Sequence, residues 1–94
     1  MAQFVTIHRA PTLTQEEIIA NAKMVLEQKH ARFVESFVSL ADGFIVTVYE
    51  ADSAADVQRE FERVGFPVDE MHEAQVSFTR ERLEEMVASH GRPR

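Results

Sequence analysis

The chain has 94 residues, enough for one hydrophobic core and not two. It has no cysteine, which excludes a disulfide framework, a thiolate zinc site, an iron–sulfur cluster and a cysteine nucleophile. A net charge of -6 has the wrong sign for non-specific binding to nucleic acid or anionic lipid. No apolar run approaches the ~20 residues of a membrane span, and the first residues lack the basic-then-apolar order of a signal peptide. The expectation is a cytoplasmic domain with neither a nucleic-acid nor a membrane partner.

Gln3 to Arg9 is short and rich in β-branched and aromatic residues, so it reads as a strand that Pro11 ends. Thr14-Gln15-Glu16-Glu17 is a capping box, and Ile18, Ala22, Val25 and Leu26 follow at helical spacing, predicting a helix from Gln15 to about His30. Phe33–Leu40 and Phe44–Glu50 read as two strands joined by the turn residues Asp42 and Gly43. Ser53 caps a second helix whose apolar stripe is Ala54, Val57, Phe61 and Val64. Gly65 stops it and Pro67 prevents its return. Met71–Phe78 reads as a fourth strand and Thr79–Ser89 as a third helix carrying Leu83, Met86 and Val87, with Gly91–Arg94 expected to fray. The order β-α-β-β-α-β predicts an α+β, ferredoxin-like sandwich, its antiparallel sheet ordered 4-1-3-2, over residues 1–78, with a C-terminal helix and tail over 79–94.

Both helices of that fold cover one face of the sheet. The other face should alternate apolar with polar if it meets water, yet the second and third strands place apolar residues on both sides: Phe33 and Phe37 against Val34 and Val38, and Phe44, Val46 and Val48 against Ile45 and Tyr49. Four strands cover roughly 400 Å² per face, near the upper range for a monomer's exposed apolar patch. A homodimer packed sheet to sheet is therefore expected, the alternative cover being the chain's own last helix.

Two histidines stand out as candidate ligands. His8 ends the first strand and His72 begins the fourth, its antiparallel neighbour in this fold. A register pairing the two would set their imidazoles on one face, ready for a divalent transition ion. A one-residue slip puts them on opposite faces, and superposing the apolar sets of the two strands favours the slip. Glu35, Glu50, Glu70 and Glu73 are candidate oxygen donors, Glu50 and Glu73 foremost. Arg59, Glu60, Glu62 and Arg63 read as a solvent-facing helix face. No phosphate-binding glycine loop, nucleophile elbow or His-Glu-x-x-His motif is present.

Together, the strand ending in His8, Leu13-Thr14-Gln15-Glu16-Glu17, Gly43 in the hairpin, Tyr49-Glu50-Ala51-Asp52-Ser53, Glu60–Gly65 and Asp69-Glu70-Met71-His72-Glu73 resemble a small bacterial nickel-binding, ferredoxin-like family, largely of unknown function. The resemblance runs over about residues 3–77, is most specific from Ser53 to Glu73, and leaves 79–94 as an extension. It implies a ferredoxin-like dimer with nickel or another divalent transition metal as ligand. His8 and His72 match positions where its metal-binding members have histidine. Arg9, Phe61 and Phe66 stand where some members have histidine, and Thr47 where cysteine is common, so several ligand positions are lost here.

The sequence thus supports a dimeric, non-catalytic transition-metal binder using His8, His72, Glu50 and Glu73. One alternative is a cofactor-independent isomerase or oxygenase-like enzyme of the dimeric α+β barrel type, with a histidine base in an apolar pocket walled by Tyr49, Phe61 and Phe66. A large apolar cavity with one histidine inside would favour it. The other is a protein-interaction module without a small ligand.

Overall fold

A computed structural model describes residues 1–90; the expected fraying of Gly91–Arg94 lies outside them. The elements follow as β1 (Ala2–Arg9), α1 (Gln15–Leu26), β2 (Arg32–Ser39), β3 (Phe44–Ala51), α2 (Ala54–Val64), β4 (Glu70–Ala74) and α3 (Arg80–His90). The four strands form one antiparallel sheet, β2-β3-β1-β4, which is the expected ferredoxin-like order read from the other edge.

Local chemistry fixes the helix ends. Thr14 accepts from the Glu17 amide while the Glu17 carboxylate accepts from the Thr14 amide, the reciprocal capping box. Ser53 caps α2 by accepting from the Asp56 amide. Gly65 closes α2 in the left-handed conformation at φ 74°, with Gly65 donating to the Glu62 carbonyl and Phe66 to that of Phe61. α1 stops at Leu26, short of the expected His30. The His30 amide is instead committed to the Glu60 carboxylate at 2.8 Å, which turns the chain so that Ala31 enters the core. In the hairpin, Gly43 has φ +61°, and a Cβ there would fall 2.3 Å from Pro11 Cα, so the turn needs glycine on both counts.

Two strands depart from expectation. β2 carries a bulge between Phe33 and Glu35, which resets its alternation. Phe33 stands opposite Tyr49 on the helix-covered face while Phe37 stands opposite Val46 on the open face, so these residues do not share a side. β4 ends at Ala74 rather than Phe78, because Ala74 already pairs with Gln3 and little of β1 remains to extend the ladder.

The core, Phe4, Tyr49, Ala51, Val57, Phe61 and Ala31, sits between α2 and the sheet. α1 buries no residue, and neither does α3. α3 projects from the body: the radius of gyration is 16.3 Å, against about 12 Å expected for a compact chain of this length. The open face carries Val5 and Ile7 from β1, Phe44, Val46 and Val48 from β3, and Phe37, which is 60% exposed. Among the described residues no helix is long and apolar enough to cross a membrane.

Candidate functional site

α1 lies over the sheet without closing onto it, and the space between them is an apolar cleft of about 430 Å³. Ile45, Thr47 and Tyr49 of β3 form part of its floor, since alternate residues of this strand face the helices. Ile18, Ala22 and Val25, spaced to share one side of α1, line its roof. Phe61, Phe66 and His8 also line it. The structure therefore brings together the three residues Tyr49, Phe61 and Phe66 that the sequence offered as pocket walls. Tyr49 and Phe61 meet edge to face with ring centroids 5.1 Å apart.

His8 is 1% exposed, its ring against Phe61 at 4.6 Å and Phe66 at 5.2 Å between centroids. Nδ1 lies 2.8 Å from the Pro67 carbonyl oxygen, which can only accept, so Nδ1 carries a proton. Nε2 lies 2.8 Å from Thr6 Oγ1, and that hydroxyl lies 3.1 Å from the Thr47 carbonyl oxygen. In the neutral ring the single Thr6 hydroxyl proton has two acceptors to serve; in the imidazolium, Nε2 donates to Thr6 and Thr6 donates to Thr47. Burial pushes the His8 pKa down, and the Pro67 hydrogen bond and the Asp69 carboxylate offset this only in part. Neither ring nitrogen is free of a protein partner, and this limits the ring as a metal ligand or as a base toward a guest in the cleft.

Tyr49 is also buried, and burial, followed by the Glu60 carboxylate, pushes its phenol up to about 12, so it remains a hydrogen-bond donor at neutral pH. Glu60 is fully buried, contrary to the solvent-facing helix face expected of it. It accepts from the His30 amide and from the Arg63 guanidinium, and Arg63 also donates to the Met24 carbonyl at 2.7 Å. Burial pushes the Glu60 carboxyl up, but Arg63 and the His30 amide more than offset it and leave its pKa below the usual range. The sequence held a signal for this: Glu60 is three residues after Val57 and four before Val64, on the border of the apolar stripe.

The four proposed metal ligands do not converge in one chain. β4 pairs with β1 so that Val5 faces His72, which sets His72 and His8 on opposite faces of the sheet, as the slipped register required. Glu73 faces Phe4 and so shares the face of His8, but lies four residues along from it, roughly 13 Å at strand spacing. Glu50 shares the open face with His72 but is one strand removed, across Gln3, and is paired with Arg32 at 2.7 Å. The expectation of one centre built from His8, His72, Glu50 and Glu73 is corrected accordingly for a single chain. Among the described residues no three His, Cys, Asp or Glu side chains gather as a metal site. What the open face does hold is a pair, His72 Nε2 and Glu70 Oε1, 3.4 Å apart and both exposed.

A family model described as "Nickel responsive protein SCO4226-like" matches residues 4–74. The fold is similar to the crystal structure of SCO4226 from Streptomyces coelicolor A3(2), with 30% sequence identity and a TM-score of 0.73, over 82% of this chain and 100% of that one. Comparison with curated proteins returns no match.

Proposed function

Since this chain belongs to the SCO4226-like family of nickel responsive proteins, we propose that it is a homodimeric, non-catalytic binding protein for nickel or a similar divalent transition metal, with His72 and Glu70 as its contribution to the metal site. The observation that carries this reading is the imidazole–carboxylate pair on the open face, 3.4 Å apart. Imidazole suits nickel among the divalent ions, and carboxylate oxygen is an acceptable companion. One chain offers two donors there, too few for a site. A two-fold interface presents the same pair twice, and the apolar centre of the open face, from Val5, Ile7, Val46 and Val48, supplies the reason to pair. The non-catalytic part rests on His8: the cleft holds the single histidine that an isomerase or oxygenase reading would look for, but both ring nitrogens already have protein partners.

Native mass spectrometry of the full chain with and without nickel tests this reading. We expect a dimer that takes up a whole number of nickel ions per dimer, lost in His72→Ala and weakened in Glu70→Gln, with uptake retained in His8→Gln. Uptake unchanged in His72→Ala, or a monomer that binds no metal, would overturn it.

A further inference from the structure

The cleft between α1 and the sheet is unexplained by metal binding on the opposite face. Well-packed interiors leave few voids larger than a water molecule, and about 430 Å³ is within the range of small-molecule sites. It lies where the two helices differ: α2 is seated on the core through Val57 and Phe61, while α1 has no buried residue. Ile18, Ala22 and Val25 turn an apolar side toward the sheet and meet open space.

The lining defines the guest. Among the described residues no Lys, Arg, Asp or Glu side chain borders the cleft, so none of them compensates a charge on a ligand. Its aromatic rings, Phe33, Tyr49, Phe61 and Phe66, offer broad apolar contact. The polar groups are few: His8, bonded at both nitrogens, Asn21, whose amide donates to the Glu17 carbonyl, the Tyr49 hydroxyl, and the hydroxyls of Ser36 and Thr47. Ser36 Oγ and Thr47 Oγ1 are hydrogen-bonded to one another at 3.0 Å, and whichever donates, the other keeps its own proton to give.

We propose that this cleft binds a small, uncharged, mainly apolar molecule carrying a hydrogen-bond-accepting oxygen such as a ketone, with the Ser36–Thr47 hydroxyl pair as its polar anchor. The site is separate from the His72–Glu70 pair, being on the other face of the sheet, so it stands or falls independently of the metal reading.

The test is fluorescence titration of the full chain, in the presence of a chelator, with the neutral ketone dye 6-propionyl-2-(dimethylamino)naphthalene. The anionic dye 1-anilinonaphthalene-8-sulfonate serves as the charged comparison. We expect one neutral dye per chain, bound at least tenfold more tightly than the sulfonate. Ala22→Trp and Val25→Trp, which fill the cleft from its roof, should each weaken binding at least tenfold while the circular dichroism stays that of the wild type. Val46→Lys, on the open face, should leave affinity within twofold. The proposal fails if the full chain takes up no neutral dye, as when the apolar side of α3 occupies the cleft. It also fails if both tryptophan variants fold and bind like the wild type, if Val46→Lys abolishes binding, or if the sulfonate binds equally well.

Discussion

Replacing Glu60 by alanine removes a buried carboxylate that ties three parts of the chain together. Its oxygens accept from the His30 amide, which leads into β2, and from Arg63 one turn along α2, and Arg63 in turn holds the last turn of α1 through the Met24 carbonyl. The variant leaves the Arg63 guanidinium, whose side chain is 16% exposed, without its counter-ion and the His30 amide without its acceptor. Removing one partner of a buried pair typically costs about 3–5 kcal/mol, a large part of the ~5–15 kcal/mol by which a domain is stable. At about 4–8 °C per kcal/mol for a domain of this size, the melting temperature should fall by roughly 12–40 °C. The two donors use different oxygens, so Glu60→Gln keeps an acceptor for one of them and sets its own N–H2 against the other; it should still destabilise, by about 1–3 kcal/mol. Urea titration, with midpoint and slope fitted separately, measures both. The pH dependence provides a second arm. The folded carboxyl titrates below its unfolded value, so its stabilising contribution is complete above the ordinary carboxylate range. It is lost as pH falls through the lower, folded value, and Glu60→Gln should lack that component. A cost below about 1 kcal/mol for Glu60→Ala would refute the claim that this pair clamps α1, α2 and β2.

His8 is linked to pH in the same direction for a different reason: burial disfavours its charged form, so its folded pKa is lowered and the unfolded chain takes up the proton first as pH falls. Stability from this group should be complete above about pH 6.5 and decline below it, and His8→Gln should flatten the profile measured by urea titration between pH 8 and 5. Gly43→Ala places a methyl against the Pro11 backbone at positive φ and should cost about 1–3 kcal/mol or more, seen as a lower denaturation midpoint with unchanged slope. Removal of residues 79–94 deletes α3, which buries no side chain on the body; the unfolding free energy should stay within about 0.5 kcal/mol, with circular dichroism losing helix signal only.

Element type and order were legible because each depended on local chemistry: the capping box at Thr14, the Ser53 cap, the αL glycine at 65, and alternation along β3. Positions that depended on pairing between distant segments were not. The bulge at Val34 leaves no mark in composition, so the sides of β2 read wrongly until its register with β3 is seen. The odd register of β4 on β1 decides whether His8 and His72 can meet, and the apolar pattern only leaned toward it. By charge alone Glu60 reads as solvent-exposed, whereas its spacing from Val57 and Val64 places it beside the core. The cleft was only partly legible. Its walls at Tyr49, Phe61 and Phe66 were visible as bulky residues, but the Ile18, Ala22 and Val25 stripe looks the same whether a helix packs down or stands off.

The two outer strands have a consequence for solution behaviour. An open sheet edge is a template on which further chains can add strands and grow without limit. β2 has its exposed row of amides broken by the bulge and flanked by Arg32 and Glu35, while β4 offers only five residues, three of them Glu70, His72 and Glu73. Both margins are thus poor templates for added strands, whereas the broad apolar face is unguarded. The face-to-face pairing proposed above would end at two copies, since a two-fold contact closes on itself, whereas these edges give little purchase for growth into fibres.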